Sequence, residues 1–218
     1  MTALYRYLIT SVLLSQRYLP PTLIFLAALA VGTTSDSGPL ESSYAFCVLA
    51  MLVCSTWLTV AIVNHEDATQ HQIILVLIGD SLRVLAVTVA VVLTWCVPLL
   101  VIGLAYPIVT GKHVVTFGAL AVGAAAQLSA AMVGSAIGLL CSRLVIPRIG
   151  LATLTAAAGI LAVLLLRWLS PIRPLMTLLS NEHPPADNAV PLILLTALSA
   201  VLLVAALLAT RVLADRKE

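Results

Sequence analysis

Residues 73–106 read IILVLIGDSLRVLAVTVAVVLTWCVPLLVIGLAY, and this stretch decides the fold. It is apolar apart from a polar knot around Asp80, Ser81 and Arg83. A single helix through all of it would be about 50 Å long, whereas the hydrocarbon core of a bilayer is about 30 Å thick. The spacing therefore predicts a segment along the membrane surface over about 65–78, a break at Gly79, and a membrane span over about 82–105. A helix with no polar face has no water-facing side, so its solvent is lipid or the rest of the protein.

The same pattern repeats outward from this stretch. The chain has 218 residues, of which 61% are hydrophobic and only 9% charged, the composition of a chain dissolved in lipid. A crossing needs roughly 20 apolar residues, so this length holds about six crossings and no separate soluble domain. The expected architecture is all-α: a polytopic membrane protein with about six transmembrane helices in a single domain over 1–218. Spans are expected over about 20–32, 44–63, 82–105, 115–141, 149–166 and 189–210, preceded by an N-terminal interfacial helix over 1–17. In that first helix Arg6, Thr10 and Arg17 share one narrow arc, and Tyr5 and Tyr7 suit the headgroup level. Pro20 and Pro21 open the first span, where a missing N–H costs nothing. Ala28-Leu29-Ala30 has the look of a signal cleavage site, but the leader before it is itself largely apolar and broken by the two prolines. The expectation is an uncleaved helix.

Orientation follows from the basic residues. Arg6, Arg17, Arg83, Arg143, Arg148, Arg211, Arg216 and Lys217 fall on one side of the spans, and Lys112, Arg167 and Arg173 on the other. The first side is expected to be cytoplasmic, with both termini and the loops around Glu66 and Arg143. Residues 170–188, which hold Pro171, Pro174, Pro184 and Pro185, are expected outside as a loop hugging the membrane. A formal net charge of +2 is too small to suggest nucleic acid.

The span centres carry no ionisable side chain, which argues against an ion-driven transporter or pump, since moving a cation needs a site that takes its charge. Gln127, Ser129 and Thr155 are isolated polar residues there, available for hydrogen bonds between helices or for a substrate. Gly111-Lys112-His113 lacks the upstream glycine of a phosphate-binding loop. His65 and His71 flank an acidic pair but do not share a helix face, so no metal site is expected. Cys47, Cys54, Cys96 and Cys141 have no CxxC spacing and read as small core or lipid-phase residues. No catalytic constellation is present, so the chain is not expected to be an enzyme. Ala126, Ala130, Gly134 and Gly138 recur every fourth residue, a close-packing stripe for another helix of this chain or of a partner. Asp80 and Arg83, three apart at a helix start, suit a local ion pair, either structural or in a functional contact.

Three features together resemble the permease subunit of ABC exporters that handle drugs, lipids, peptides and polysaccharides. They are the interfacial helix before the first span, the polar loop Asn64-His65-Glu66-Asp67-Ala68-Thr69-Gln70-His71-Gln72 after the second, and the loop 170–188 before the last. The resemblance covers nearly the whole chain as architecture. It implies that His65, Glu66, Asp67, Gln70 and His71 form an ATPase-coupling loop, docking on a separate ABC ATPase subunit that binds ATP and Mg; this chain holds no cofactor. It further implies a second permease, a copy or a paralogue, in the cell (plasma) membrane, with the first, second and fifth spans lining the path of a hydrophobic or amphipathic cargo. The alternative is a non-transporting membrane scaffold or accessory subunit that binds partners through the fourth-span stripe.

Overall fold

In lipid a backbone must satisfy its own polar groups, and the apolar runs do so as helices. The computed structural model describes residues 2–33, 40–64, 79–110, 117–142, 149–165 and 189–215. Among them lie seven helices and no strand: α1 (Thr2–Ser15), α2 (Leu19–Thr33), α3 (Leu40–Val63), α4 (Ser81–Thr110), α5 (Phe117–Leu140), α6 (Ile149–Leu165) and α7 (Ala189–Asp215). Helices α3, α4, α5 and α7 are long and apolar enough to cross a membrane. The α1–α2 pair makes a fifth crossing if its two halves form one span. Helix α6 is equally apolar but only 17 residues long, about 25 Å, a few ångströms short of the hydrocarbon core. With it, about six crossings fit this all-helical membrane protein.

Between α1 and α2 the chain turns by 71°. Gln16 adopts a left-handed φ of 54°, and the Ser15 hydroxyl donates to the Val12 carbonyl at 2.9 Å, so the helix ends there. The Leu19 N–H then donates to the Gln16 carbonyl at 3.1 Å, closing the turn into α2. Helix α1 leans against α4: Leu8 and Val12 are buried, the Tyr5 hydroxyl donates to Thr94 Oγ1 at 2.9 Å, and Tyr18 meets Trp95 edge to face at 4.5 Å. Thr94 lies about 20 Å along α4, so α1 meets the bundle well inside its length.

Gly79, with a positive φ of 71°, stands just ahead of α4, which begins at Ser81. The helix then continues through Pro98 and Pro107 to Thr110, past the end expected near residue 105. Each proline removes the N–H that would serve the carbonyl four residues earlier, here Thr94 and Gly103. Packing within a bundle is what lets a membrane helix carry such gaps.

The core is the contact between α3 and α5. Tyr44 faces Gly123, Ser55 faces Gly134 and Thr59 faces Gly138, so both helices advance together and run parallel. Tyr44, Cys47, Val48, Met51, Leu52 and Leu58 of α3 are fully buried, as are Ala126 and Ala130 of α5. Helix α4 runs antiparallel to α5, with Leu85 and Val89 clustered with Ala136 and Leu139 near one end and Gly103 against Gln127 toward the other. Helix α7 is peripheral: 17% of its span is buried, against 61% for α3. It packs chiefly along α5, with Ser199 and Thr210 fully buried and Leu203 and Ala206 sharing the cluster of Leu85, Val89, Ala136 and Leu139.

Candidate functional site

His65, Glu66, Asp67, Gln70 and His71, expected to form the coupling loop, lie outside the described residues. The structure does describe both ends of that loop. Where α3 ends, Asn64 continues the helical ladder to the Val60 carbonyl at 3.0 Å, and Arg17 Nη1 donates to the Asn64 carbonyl at 3.5 Å. Where the chain returns, Asp80 caps α4: its Oδ1 accepts the Leu82 N–H at 3.1 Å, an N-terminal donor with no helical acceptor of its own. Arg83 Nε lies 3.3 Å from Asp80 Oδ2, and Arg211 Nη2 of α7 lies 3.8 Å from Oδ1. Two guanidinium groups thus share one carboxylate. Arg17 thus meets the chain where α3 ends, and Arg83 and Arg211 meet it where α4 begins.

The fourth-span stripe faces α3 of the same chain. A Cβ on Gly134 would run into Ser55 Oγ and stand 2.7 Å from the Leu52 carbonyl oxygen, and one on Gly138 would lie 2.8 Å from that of Thr56. Hydrogen leaves both positions open to a neighbouring backbone. Ser55 Oγ lies 3.1 Å from the Leu52 oxygen and 3.5 Å from that of Ala130, a link across the two helices. Thr56, Thr59, Ser129 and Ser135 donate to carbonyls of their own helices, so these hydroxyls are satisfied without any ligand.

Beside this contact α3 and α6 enclose an apolar groove of about 250 Å³. Val53, Thr56, Trp57 and Val60 line it from α3, and Thr153, Ala156, Ala157 and Ile160 from α6. Its two hydroxyls are already committed, Thr56 to the Leu52 carbonyl at 2.8 Å and Thr153 to that of Gly150 at 2.9 Å. What the groove offers a guest is hydrocarbon contact. Sequence reasoning missed it; the one available signal was the pair of small residues Ala156 and Ala157 on the fifth span.

Gln127 is fully buried on α5, and neither its oxygen nor its nitrogen has a partner among the described residues. It lies on the α4 backbone at Gly103, where a Cβ would approach its Oε1 to 2.7 Å. Nearby, the Tyr44 hydroxyl donates to the Leu104 carbonyl at 3.4 Å. The four cysteines are buried and form no disulfide among the described residues; the Cys54 thiol donates to the Pro21 carbonyl at 3.3 Å. Among the described residues no three His, Cys, Asp or Glu side chains gather as a metal site would require.

Comparison with protein families, with curated proteins and with solved structures finds no match to this chain. The fold therefore defines a class, a helical multi-pass membrane protein, and the reading of its function rests on its own residues.

Proposed function

We propose that the chain is the permease subunit of an ATP-driven exporter at the cell membrane, working with a separate ABC ATPase and a second permease, with both termini in the cytoplasm. The observation that carries the reading is the double duty of α3. Trp57 and Val60 line the groove, and less than a turn further on the same helix ends at Val63, just before the polar stretch 64–72. A displacement of that loop by a docked partner would act directly on a wall of the groove, since a helix passes an axial or tilting movement along its length with little loss.

In this reading His65, Glu66, Asp67, Gln70 and His71 meet the ATPase, which holds ATP and Mg, while α3 and α6 bound the path of the cargo. An apolar groove whose hydroxyls are committed to its own backbone selects for hydrophobic or amphipathic molecules. The alternative, a non-transporting scaffold that recruits partners through Gly134 and Gly138, is less favoured because α3 already occupies that face.

The test is purification of the chain from its native membrane with whatever ATPase accompanies it. Replacing Glu66 and Asp67 by alanine is expected to lose the ATPase while leaving membrane insertion unchanged. A variant that kept both the ATPase and full ATP-driven export would sink the coupling assignment.

A further inference from the structure

Helices α3 and α6 face each other without closing on one another. The groove between them is lined at positions 53, 56, 57 and 60 of α3 and at 153, 156, 157 and 160 of α6. Each set follows the i, i+3, i+4, i+7 spacing of one helix face over two turns, so the groove is an axial slot about 10 Å long. Its volume of about 250 Å³ over that length leaves a mean section of about 25 Å². A single extended hydrocarbon chain fits such a section; a helix, about 10 Å across with its side chains, does not. Ala156 and Ala157 keep the slot empty by putting methyl groups where longer side chains would fill it. One flank of α6 is held to the bundle: Ala152 and Val163 are buried, and Gly159 lies against Ile137 of α5. The other flank is uncovered. Leu154 and Leu161, one residue round the helix from Thr153 and Ile160, are exposed, as is Trp57 on the α3 rim. An exposed apolar flank of a membrane helix faces lipid, so the phase at the mouth of the slot is acyl chain. Along the bundle, the slot lies in the half of α3 nearer the polar stretch 64–72.

We propose that the α3–α6 slot binds one acyl chain of a membrane lipid, taken sideways from the leaflet adjoining residues 64–72. The binding stands on the geometry of the slot alone; that the lipid is the cargo rests on the permease reading above. Both lining hydroxyls are committed to carbonyls of their own helices, so the chain is recognised by shape. Lipid tails and the lining are equally apolar, and moving a chain from the bilayer into the slot gains nothing from water. The gain is dispersion: inside the slot the chain meets close-packed side chains of two helices in place of mobile neighbouring tails.

Trp57 lines the slot and is a native reporter of what enters it. Trp95→Phe and Trp168→Phe leave it as the one tryptophan of the chain. The full chain, in micelles of an unbrominated detergent, is titrated with a phosphatidylcholine carrying bromine midway along its acyl chains, since bromine quenches indole fluorescence on contact. Quenching is expected to saturate at a low lipid fraction and to be reversed by the unbrominated lipid. Ala157→Phe, which fills the slot from an exposed position of α6, should raise the lipid fraction at half-quenching about tenfold, equivalent to about 1.4 kcal/mol of lost packing. Ala158→Phe, exposed on the same helix but outside the slot, should leave it unchanged. Both variants should keep the helix content of the parent by circular dichroism. Quenching that climbs linearly with lipid fraction, or that saturates alike in the two variants, refutes the site. Absence of quenching at every fraction refutes it too, by showing this face covered by protein, a second copy or another partner. Either result leaves the permease reading standing. A parent chain that binds no ATPase removes the cargo role and leaves the lipid site in place.

Discussion

Gly134→Ala offers the sharpest test of the core. The added Cβ would stand 2.7 Å from the Leu52 carbonyl oxygen and 3.0 Å from Thr56 Oγ1, where ordinary contact begins at 3.4 Å, and it would also run into Ser55 Oγ. Ser55 can rotate away at the expense of its link to the Ala130 carbonyl. The Leu52 oxygen is backbone and can yield only if α3 retreats by about 0.7 Å, enough to loosen the fully buried row from Tyr44 to Leu58. Overpacking of this kind costs about 1–3 kcal/mol, and the better helix propensity of alanine returns about 0.5–1 kcal/mol. The net expectation is a loss of about 0–2.5 kcal/mol, centred on about 1 kcal/mol. Gly150→Ala is the matched control, because nothing lies within 4 Å of its Cβ position; it should be neutral or stabilising by up to about 1 kcal/mol. Reversible unfolding in mixed micelles, followed by far-ultraviolet circular dichroism, measures both. Should Gly134→Ala prove as stable as Gly150→Ala, the α3–α5 contact would not be the close backbone approach described here.

Two further substitutions probe the other sites. Gln127→Met replaces a buried amide that has no partner among the described residues with an apolar side chain of similar length, and should be neutral or stabilising by about 1–3 kcal/mol in the same assay; a marked loss would reveal a partner for the amide. Ala157→Phe fills the groove from the α6 side, and on the permease reading it should lower export while ATPase binding persists, so undiminished export by the variant would remove the groove from the cargo path.

The charges and breaks of this chain were legible from its sequence. Gly79 among long apolar runs marks an expected break because no single helix of that length suits a bilayer, and it holds a positive φ just ahead of the helix that starts at Ser81. Asp80 and Arg83 sit three apart at a helix start, a spacing that brings side chains together, and their pair follows from local geometry. Arg211 on the same carboxylate was not legible, because nothing local relates the last turns of α7 to the first turn of α4. Arg17 on the Asn64 carbonyl is of the same kind.

Which way each helix faces is the larger gap. In a water-soluble protein the buried face is the apolar one and can be counted off at 3.6 residues per turn. Here lipid and protein interior are equally apolar, so α3 and α7 read alike in sequence although one is the centre of the bundle and the other its edge. Small residues give a partial signal, because only they admit another backbone. The stripe of Ala126, Ala130, Gly134 and Gly138 announced a contact without naming its partner, and Ser55, Thr56 and Thr59 opposite it were visible only in three dimensions. The sequence alone determined that this protein is a bundle of membrane helices and where its chain must break, because hydrocarbon thickness and backbone hydrogen bonding act locally. Tertiary structure decided that α3 is central, that it shares a groove with α6, and that Asp80 answers to α7, because those choices depend on shape complementarity between segments far apart in the chain.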